Sequence, residues 1–211
     1  MQTIQETTFT RRRMTEHRSV VAAMIAAIKR PTEMLGLPAL EADHFRTLAA
    51  DVHAFEPVPP FDNSQMDGFA VHRADLLGAR PDRPVQLPVT GHIAAGGSAG
   101  FLPPGEAWAV MTGAPLPAGA DAVVPIEASG LTSFPLRDET AMITLTAAPT
   151  VDAFVRRAGS DVAAGAIIAP AGTALTPPLI GALAAAGVRH VAVRRPFTVL
   201  LISTGSELRR D

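Results

Sequence analysis

Residues 59–71 read PPFDNSQMDGFAV. Two prolines, two carboxylates, Asn63, Ser64 and Gly68 stand here between apolar residues. A bend uses some of these, but not two Asp and an Asn-Ser pair together. Local chemistry leaves two readings open. One is a pair of consecutive turns, because Asn and Asp hydrogen-bond their own backbone and Asp67-Gly68 is a hairpin signal. The other is a cation or phosphate site. Asp62 and Asp67 are two carboxylates with neutral oxygens beside them, and Mg²⁺ takes one or two carboxylates with waters and substrate phosphates. Taken alone, the local chemistry favours the turns.

The stretch sits where the texture of the chain changes. Downstream, short apolar runs alternate with Pro and Gly breaks: FAV (69–71), VQLPVT (85–90), WAVM (108–111), DAVVPI (121–126) and MITLT (142–146). These predict strands of a small β-rich unit, mixed or barrel-like, over 52–147. GHIAAGGSAG (91–100) has four glycines but no GxGxxG and no Lys, and it reads as a flexible hairpin loop.

Upstream, Val20, Val21, Met24, Ile25 and Ile28 follow helical spacing, with Ser19 as a candidate N-cap and Pro31 as a stop. A second short helix is expected over about 41–51, with Phe45, Leu48 and Ala49 inward. Both read as packing helices. After 150, DVAAGAIIAPAGTAL (161–175) predicts a hairpin with Gly turns. TPPLIGALAAAGVRHVAV (176–193) predicts a helix capped by Thr176, opened by Pro177 and closed by Gly187, then a strand over Val188–Val193. PFTVLLIS (196–203) is continuously apolar, as in a strand buried on both faces of a parallel sheet. STGSEL follows at its carboxyl end, where open α/β sheets bind ligands. The expected fold is α+β and multi-domain. An αβ unit (15–51 and 148–195) is interrupted by the β-rich unit, and 196–211 begins a third, α/β unit that is cut short.

Composition narrows the chemistry. The 211 residues are 47% hydrophobic and 18% charged, enough for a real core. Net charge is −2, so no broad field attracts nucleic acid, and Arg11-Arg12-Arg13 reads as a solvated tail. There is no cysteine, which excludes disulfides, zinc-thiolate sites and Cys nucleophiles. The six His are scattered, so any metal would be a hard cation on oxygen. VVAAMIAAI (20–28) is shorter than the roughly 20 residues a membrane span needs. A cytoplasmic protein without membrane or nucleic-acid partners is expected.

Three further segments carry chemistry. MTGAPLPAG (111–119) sets Thr112 and Gly113 before two prolines; it reads as an anion-holding nest or as a rigid turn. RRAGSD (156–161) joins two Arg to Asp161; it reads as an oxyanion contact or as a surface ion pair. STGSEL (203–208) adds Ser203, Thr204, Gly205 and Glu207 at a strand end.

Taken in order, PPFDNSQMDGFAV, MTGAPLPAGADAVV, RRAGSDVAAG, LTPPLIGALAAAGV and RRPFTVLLISTGSEL resemble the molybdopterin molybdenumtransferase family, MoeA and the gephyrin E domain. The likeness runs from about Ser19 to the last residues. It implies a homodimer in molybdenum-cofactor biosynthesis, with a cleft shared between subunits. Molybdate would be inserted into adenylylated molybdopterin with Mg²⁺ and release of AMP, and the adenylyltransferase that makes this substrate is an implied partner. The 15–51 and 148–195 unit would be the dimerisation domain, and 196–211 the start of a molybdopterin-binding domain.

By the same resemblance, Asp62, Asp67, Thr112, Asp161 and Glu207 would be catalytic. Asn63, Ser64, Gly113, Arg157, Ser203, Thr204 and Gly205 would bind substrate, and Asp62, Asp67 and Glu207 would hold metal. The opening stretch then becomes a site element built on turns. Three positions depart from the family. Gln65 stands where a small residue is usual, RRAGSD replaces RRRGED, and STGSEL replaces STGDEL. The 211 residues alone are expected to be inactive, because one wall of the cleft is missing. The alternative expectation is a non-catalytic dimerisation or scaffold module of the same family.

Overall fold

The residues after Asp67 form the middle of a sheet because both of its faces are covered. In the computed structural model of the chain, residues 13–40, 46–136, 141–196, 198, 200, 202 and 205 are described. In chain order, α1 (Met14–Ala27) precedes β1 (Thr32–Gly36), β2 (Val52–His53), β3 (Asn63–Ser64) and β4 (Gly68–Val71). Next come β5 (Val85–Ile93), β6 (Ala107–Val110), β7 (Ala122–Pro125) and β8 (Ala141–Leu145). The last are β9 (Val155–Arg156), β10 (Ile167–Ala169), α2 (Pro177–Ala185) and β11 (His190–Arg194).

Five strands make one mixed sheet in the order β7-β4-β6-β5-β8. Side chains alternate across a strand. Phe69, Val71, Ala107, Ala109, Ala122 and Val124 therefore enter one buried cluster with Leu87 and Ile143. Ala70, Val110 and Val123 enter another, with Ile93, Leu116 and Val155. This explains the unbroken apolar runs FAV, WAV and AVV: every residue in them except the half-buried Trp108 is buried. β4 runs antiparallel to β6 and β7, with Gly68 opposite Val110 and Pro125. A Cβ on Gly68 would lie 2.2 Å from the Val124 carbonyl oxygen, so the close strand approach requires glycine.

A third core joins Leu37, Leu40, Leu48, Leu175, Leu183, Val191 and Val193. It is built from β11 antiparallel to β1, β2 antiparallel to β10, and α2. The chain passes between this core and the sheet twice, through 54–67 and 150–162. The two passages pair as β3 with β9 and at Val58 with Val162.

Several expectations need correction. α1 begins at Met14, not after Ser19, and none of its residues is buried, so it is not a packing helix in this chain. Its N-terminus is held by Glu16, whose carboxylate accepts the Arg13 N–H at 3.0 Å. Ser19 instead donates back to the Thr15 carbonyl. Residues 46–51 are not helical: Thr47 and Leu48 bridge to Ala174 and Val193, and tertiary pairing overrides local propensity. Residues 41–45, including Phe45, lie outside the described residues, as do Arg11 and Arg12. The 91–100 loop is not a hairpin, because β5 continues to Ile93 and runs parallel to β6. Residues 161–175 do not pair with themselves, because β10 takes β2 as its partner. Thr198, Leu200 and Ile202 are not in a strand, and Leu200 and Ile202 are exposed. α2 does carry the expected signals: Thr176 Oγ1 accepts the Leu179 N–H, and Gly187 has φ +75°.

Gly68→Ala should destabilise the protein by about 2 kcal/mol, since the clash is with backbone. Gly181→Ala, in α2 with no atom near the added Cβ, should be neutral or stabilising by up to about 1 kcal/mol. Urea midpoints check both; equal effects would contradict the β4–β7 register.

Candidate functional site

The two passages meet the turn that follows β6. Ser64 N–H donates to the Ala114 carbonyl at 3.0 Å, Gly113 N–H to the Ser64 carbonyl at 2.8 Å, and Leu116 N–H to the Asp62 carbonyl at 2.9 Å. The opening stretch is thus laced to 111–116 by backbone. Gly113 has φ +79°, which the turn requires. Ser64 is buried; its Oγ accepts the Met66 N–H at 3.2 Å and donates to the Met66 carbonyl at 2.5 Å. Asn63, also buried, donates through Nδ2 to the Phe61 carbonyl at 3.3 Å.

Asp67 lies at the foot of β4, facing Thr112 at the end of β6. Its Oδ1 accepts the Thr112 N–H at 2.7 Å and the Thr112 O–H at 2.8 Å. These bonds favour the ionised form, so the carboxyl is held below its ordinary value, chiefly by the N–H and next by the hydroxyl. The Thr112 proton is committed to Asp67. Toward any ligand, Thr112 Oγ1 offers lone pairs and Asp67 offers Oδ2.

Asp62 is spent differently. Its Oδ1 accepts the Ala158 N–H at 2.7 Å and its Oδ2 pairs with Arg157. The Ala158 bond is the main cause of its lowered pKa; burial works against it, and Arg157 adds its hydrogen bond and charge. Arg157 also binds Asp152, and the two carboxylates raise its pKa, Asp152 more than Asp62. Asp152 and Phe154 both have positive φ, +59° and +54°. For Phe this backbone is strained, by about 1–3 kcal/mol. It aims the Phe154 carbonyl at the Gln65 N–H, 2.9 Å away. Asp161 pairs with Arg156.

Between these elements opens a pocket of about 310 Å³ lined by Asn63, Ser64, Gln65, Thr112, Gly113 and Arg156. A cavity of about 760 Å³ lies elsewhere, between β2 and β11, and contains none of the candidate catalytic, substrate-binding or metal-holding residues. Donor and acceptor placement, rather than size, makes the smaller pocket the candidate.

The structure brings Asn63, Ser64, Asp67, Thr112 and Gly113 to this pocket or its rim. Asp62, Arg157 and Asp161 stand behind it as tethers, with Arg156 facing in. Gly205 is exposed, with no hydrogen bond to the pocket. Ser203, Thr204 and Glu207 lie outside the described residues. Among the described residues no group of three or more His, Cys, Asp or Glu could hold a metal. Mg²⁺ needs only one or two carboxylates, and Asp67 Oδ2 with the Thr112 lone pairs fits that demand, whereas both Asp62 oxygens are occupied. Sequence reasoning missed Asp152, because the left-handed turn that presents it contains no glycine at that position. It also put the weight of RRAGSD on Arg157, when Arg156 faces the pocket.

A family profile for the MoeA N-terminal region, domains I and II, matches residues 12–187. The chain belongs to the MoeA family, aligning with its N-terminal region. It is 41% identical over 200 residues to molybdopterin molybdenumtransferase 2 of Mycobacterium tuberculosis, covering 93% of this chain and 46% of that one. It is 40% identical over 190 residues to the molybdopterin molybdenumtransferase of Synechococcus elongatus, covering 89% and 44%. Two crystal structures of the molybdopterin biosynthesis MoeA protein of Pyrococcus horikoshii superpose with TM-scores of 0.72 and 0.68, each at 28% identity. They cover 85% and 84% of this chain and 44% and 45% of theirs. The chain spans about half the length of the curated relatives it matches.

The lowered pKa values set a pH signature. Stability contributed by Asp62 is fully present above the unfolded carboxyl value, about 3.9, and is lost as pH falls through the lower folded value. Asp62→Asn should therefore lower the melting temperature at pH 7, and the gap to wild type should close in acid. For Asp67, Thr112→Val should raise the carboxyl titration seen by NMR while the Thr112 N–H bond remains. An unmoved titration would mean that the hydroxyl does not bind Asp67.

Proposed function

We propose that the protein acts in molybdenum-cofactor biosynthesis as a molybdopterin molybdenumtransferase, inserting molybdate into adenylylated molybdopterin with release of AMP. The observation that carries this reading is the Asp67–Thr112 clasp at the edge of a pocket that Arg156 also lines, with Arg156 and the 111–116 turn paired to β3 on its two sides. One edge offers oxygen lone pairs and a carboxylate; the other offers N–H donors. A substrate that carries both phosphate oxyanions and neutral donor groups matches such a polarised pocket.

In this reading Asp67 and Thr112 contact the reacting substrate, and Ser64 and Asn63 shape the floor. Asp62 and Asp161 hold Arg157 and Arg156 in place. Asp67 and Glu207 would hold Mg²⁺, which would neutralise phosphate charge when bound. Arg156 keeps guanidinium N–H groups for an oxyanion after its pairing with Asp161. Asp67 is ionised at neutral pH as an ordinary carboxyl is, and its bonds to the Thr112 N–H and hydroxyl keep it ionised further into acid.

The other assignments are proposals of the same kind. Residues 15–51 with 148–195 form the αβ dimerisation unit, 52–147 the inserted β unit, and 196–211 the start of the molybdopterin-binding unit. A homodimer would cover α1 and its C-cap Ile28, where Val21, Met24, Ile25 and Ile28 are exposed. The other wall of the shared cleft would come from the partner subunit. Residues 1–211 by themselves would not release AMP. The adenylylated substrate would arrive from its adenylyltransferase in the cytoplasm, and no helix among the described residues is long and apolar enough to cross a membrane.

The test uses the full-length protein with adenylylated molybdopterin, Mg²⁺ and molybdate, and follows AMP. Asp67→Asn should slow release by about 10²-fold or more, the scale of losing one positioned group, with the fold intact. Absence of release by folded wild-type protein would overturn the proposal.

A further inference from the structure

A count of donors in the pocket singles out one residue to which the site motifs assign no role. The Ser64 hydroxyl proton goes to the Met66 carbonyl, the Thr112 proton to Asp67, and the Gly113 N–H to the Ser64 carbonyl. Asn63 has spent one Nδ2 proton on the Phe61 carbonyl. Arg156 has spent part of its guanidinium on Asp161. An anion entering this pocket therefore meets fewer open N–H groups than the lining first suggests.

Gln65 is the exception. It lines the pocket, is exposed, and its side-chain amide makes no hydrogen bond among the described residues. Its backbone is well anchored. The Gln65 N–H is held by the Phe154 carbonyl at 2.9 Å, Ser64 before it is paired in β3, and Met66 after it is held by the Ser64 hydroxyl. A fixed root means that only the side chain's own rotamer freedom, and not the backbone's, is lost when it meets a ligand. Its Nε2 brings two unspent donors to the same pocket that Arg156 lines.

We infer that Gln65 is a specificity-determining residue that donates its amide N–H, together with Arg156, to a tetrahedral oxyanion of the substrate. This rests on the proposed reading of the pocket. Two sources share that chemistry, molybdate and the phosphate of the adenylyl group. A small residue at this position would leave Arg156 as the main donor, so a chain with Gln65 should hold the oxyanion more tightly than one with Ala.

The experiment measures, by calorimetry on the full-length protein, the binding of molybdate alone and of AMP alone. Wild type is compared with Gln65→Ala, Gln65→Glu and Arg156→Ala, with melting temperatures recorded for each. Gln65→Ala should weaken one of the two ligands by about tenfold, the loss of one hydrogen bond to a charged group, at an unchanged melting temperature. Gln65→Glu should weaken it further by like-charge repulsion. The ligand affected identifies the source of the oxyanion. If Arg156→Ala weakens binding while Gln65→Ala and Gln65→Glu stay within about twofold of wild type, the inference is wrong and the pocket reading stands. If Arg156→Ala also changes neither ligand, or wild type binds neither, the pocket reading itself fails and the inference falls with it.

Discussion

One carboxylate oxygen accepting two bonds from a single residue holds the site in shape. Asp67 and Thr112 are 45 positions apart in the chain and meet only because β4 and β6 are antiparallel with Gly68 opposite Val110. A slip of one residue would turn β4 over and separate the pair. That register depends in turn on burial of both sheet faces and on a glycine at the β4–β7 approach. The chain of cause therefore runs from apolar alternation, through register, to the direction of one hydroxyl proton. With that proton committed, Thr112 becomes an acceptor, and the pocket acquires two unlike edges.

The other carboxylates act by geometry more than by energy. Asp62, Asp152 and Asp161 all form ion pairs at the surface, and exposed pairs contribute little stability. What they do is fix where Arg157 and Arg156 stand. Arg157, gripped by Asp62 and Asp152, joins the first passage between the cores to the turn at the start of the second. Arg156, gripped once, retains donors facing the pocket. The apparent excess of acid in the opening stretch resolves into one tethering Asp and one open Asp.

Much of this was legible in the sequence, for reasons that differ by element. Strands β4, β6 and β7 announce themselves because residues buried on both faces must be apolar, while β5 and β8 show the alternation of strands with one solvated face. α2 announces itself through Thr176, Pro177 and Gly187, whose cap and turn chemistry is local. The parallel pairing of β5 and β6 is not local, and a Gly-rich loop between two strands looks like a hairpin whichever way the strands run. Leu48 sits in a stretch with helical texture yet is claimed by β11. Asp152 was missed because VDAFVRR contains no glycine, and an Asp alone signals positive φ only weakly. Asp67 and Thr112 were recognisable as motif residues, but the division of their protons between each other and a ligand appears only in three dimensions.

The matched relatives extend to about twice the length of this chain, so the pocket forms one part of a larger cleft in the proposed reading. The most direct measurement is a crystal structure of the full-length protein with AMP and molybdate bound. The account predicts ligand oxygens within hydrogen-bonding distance of Arg156, on the side of the pocket opposite Thr112 and Asp67. An ordered ligand seated elsewhere, with the Asp67–Thr112 edge facing only solvent, would contradict it.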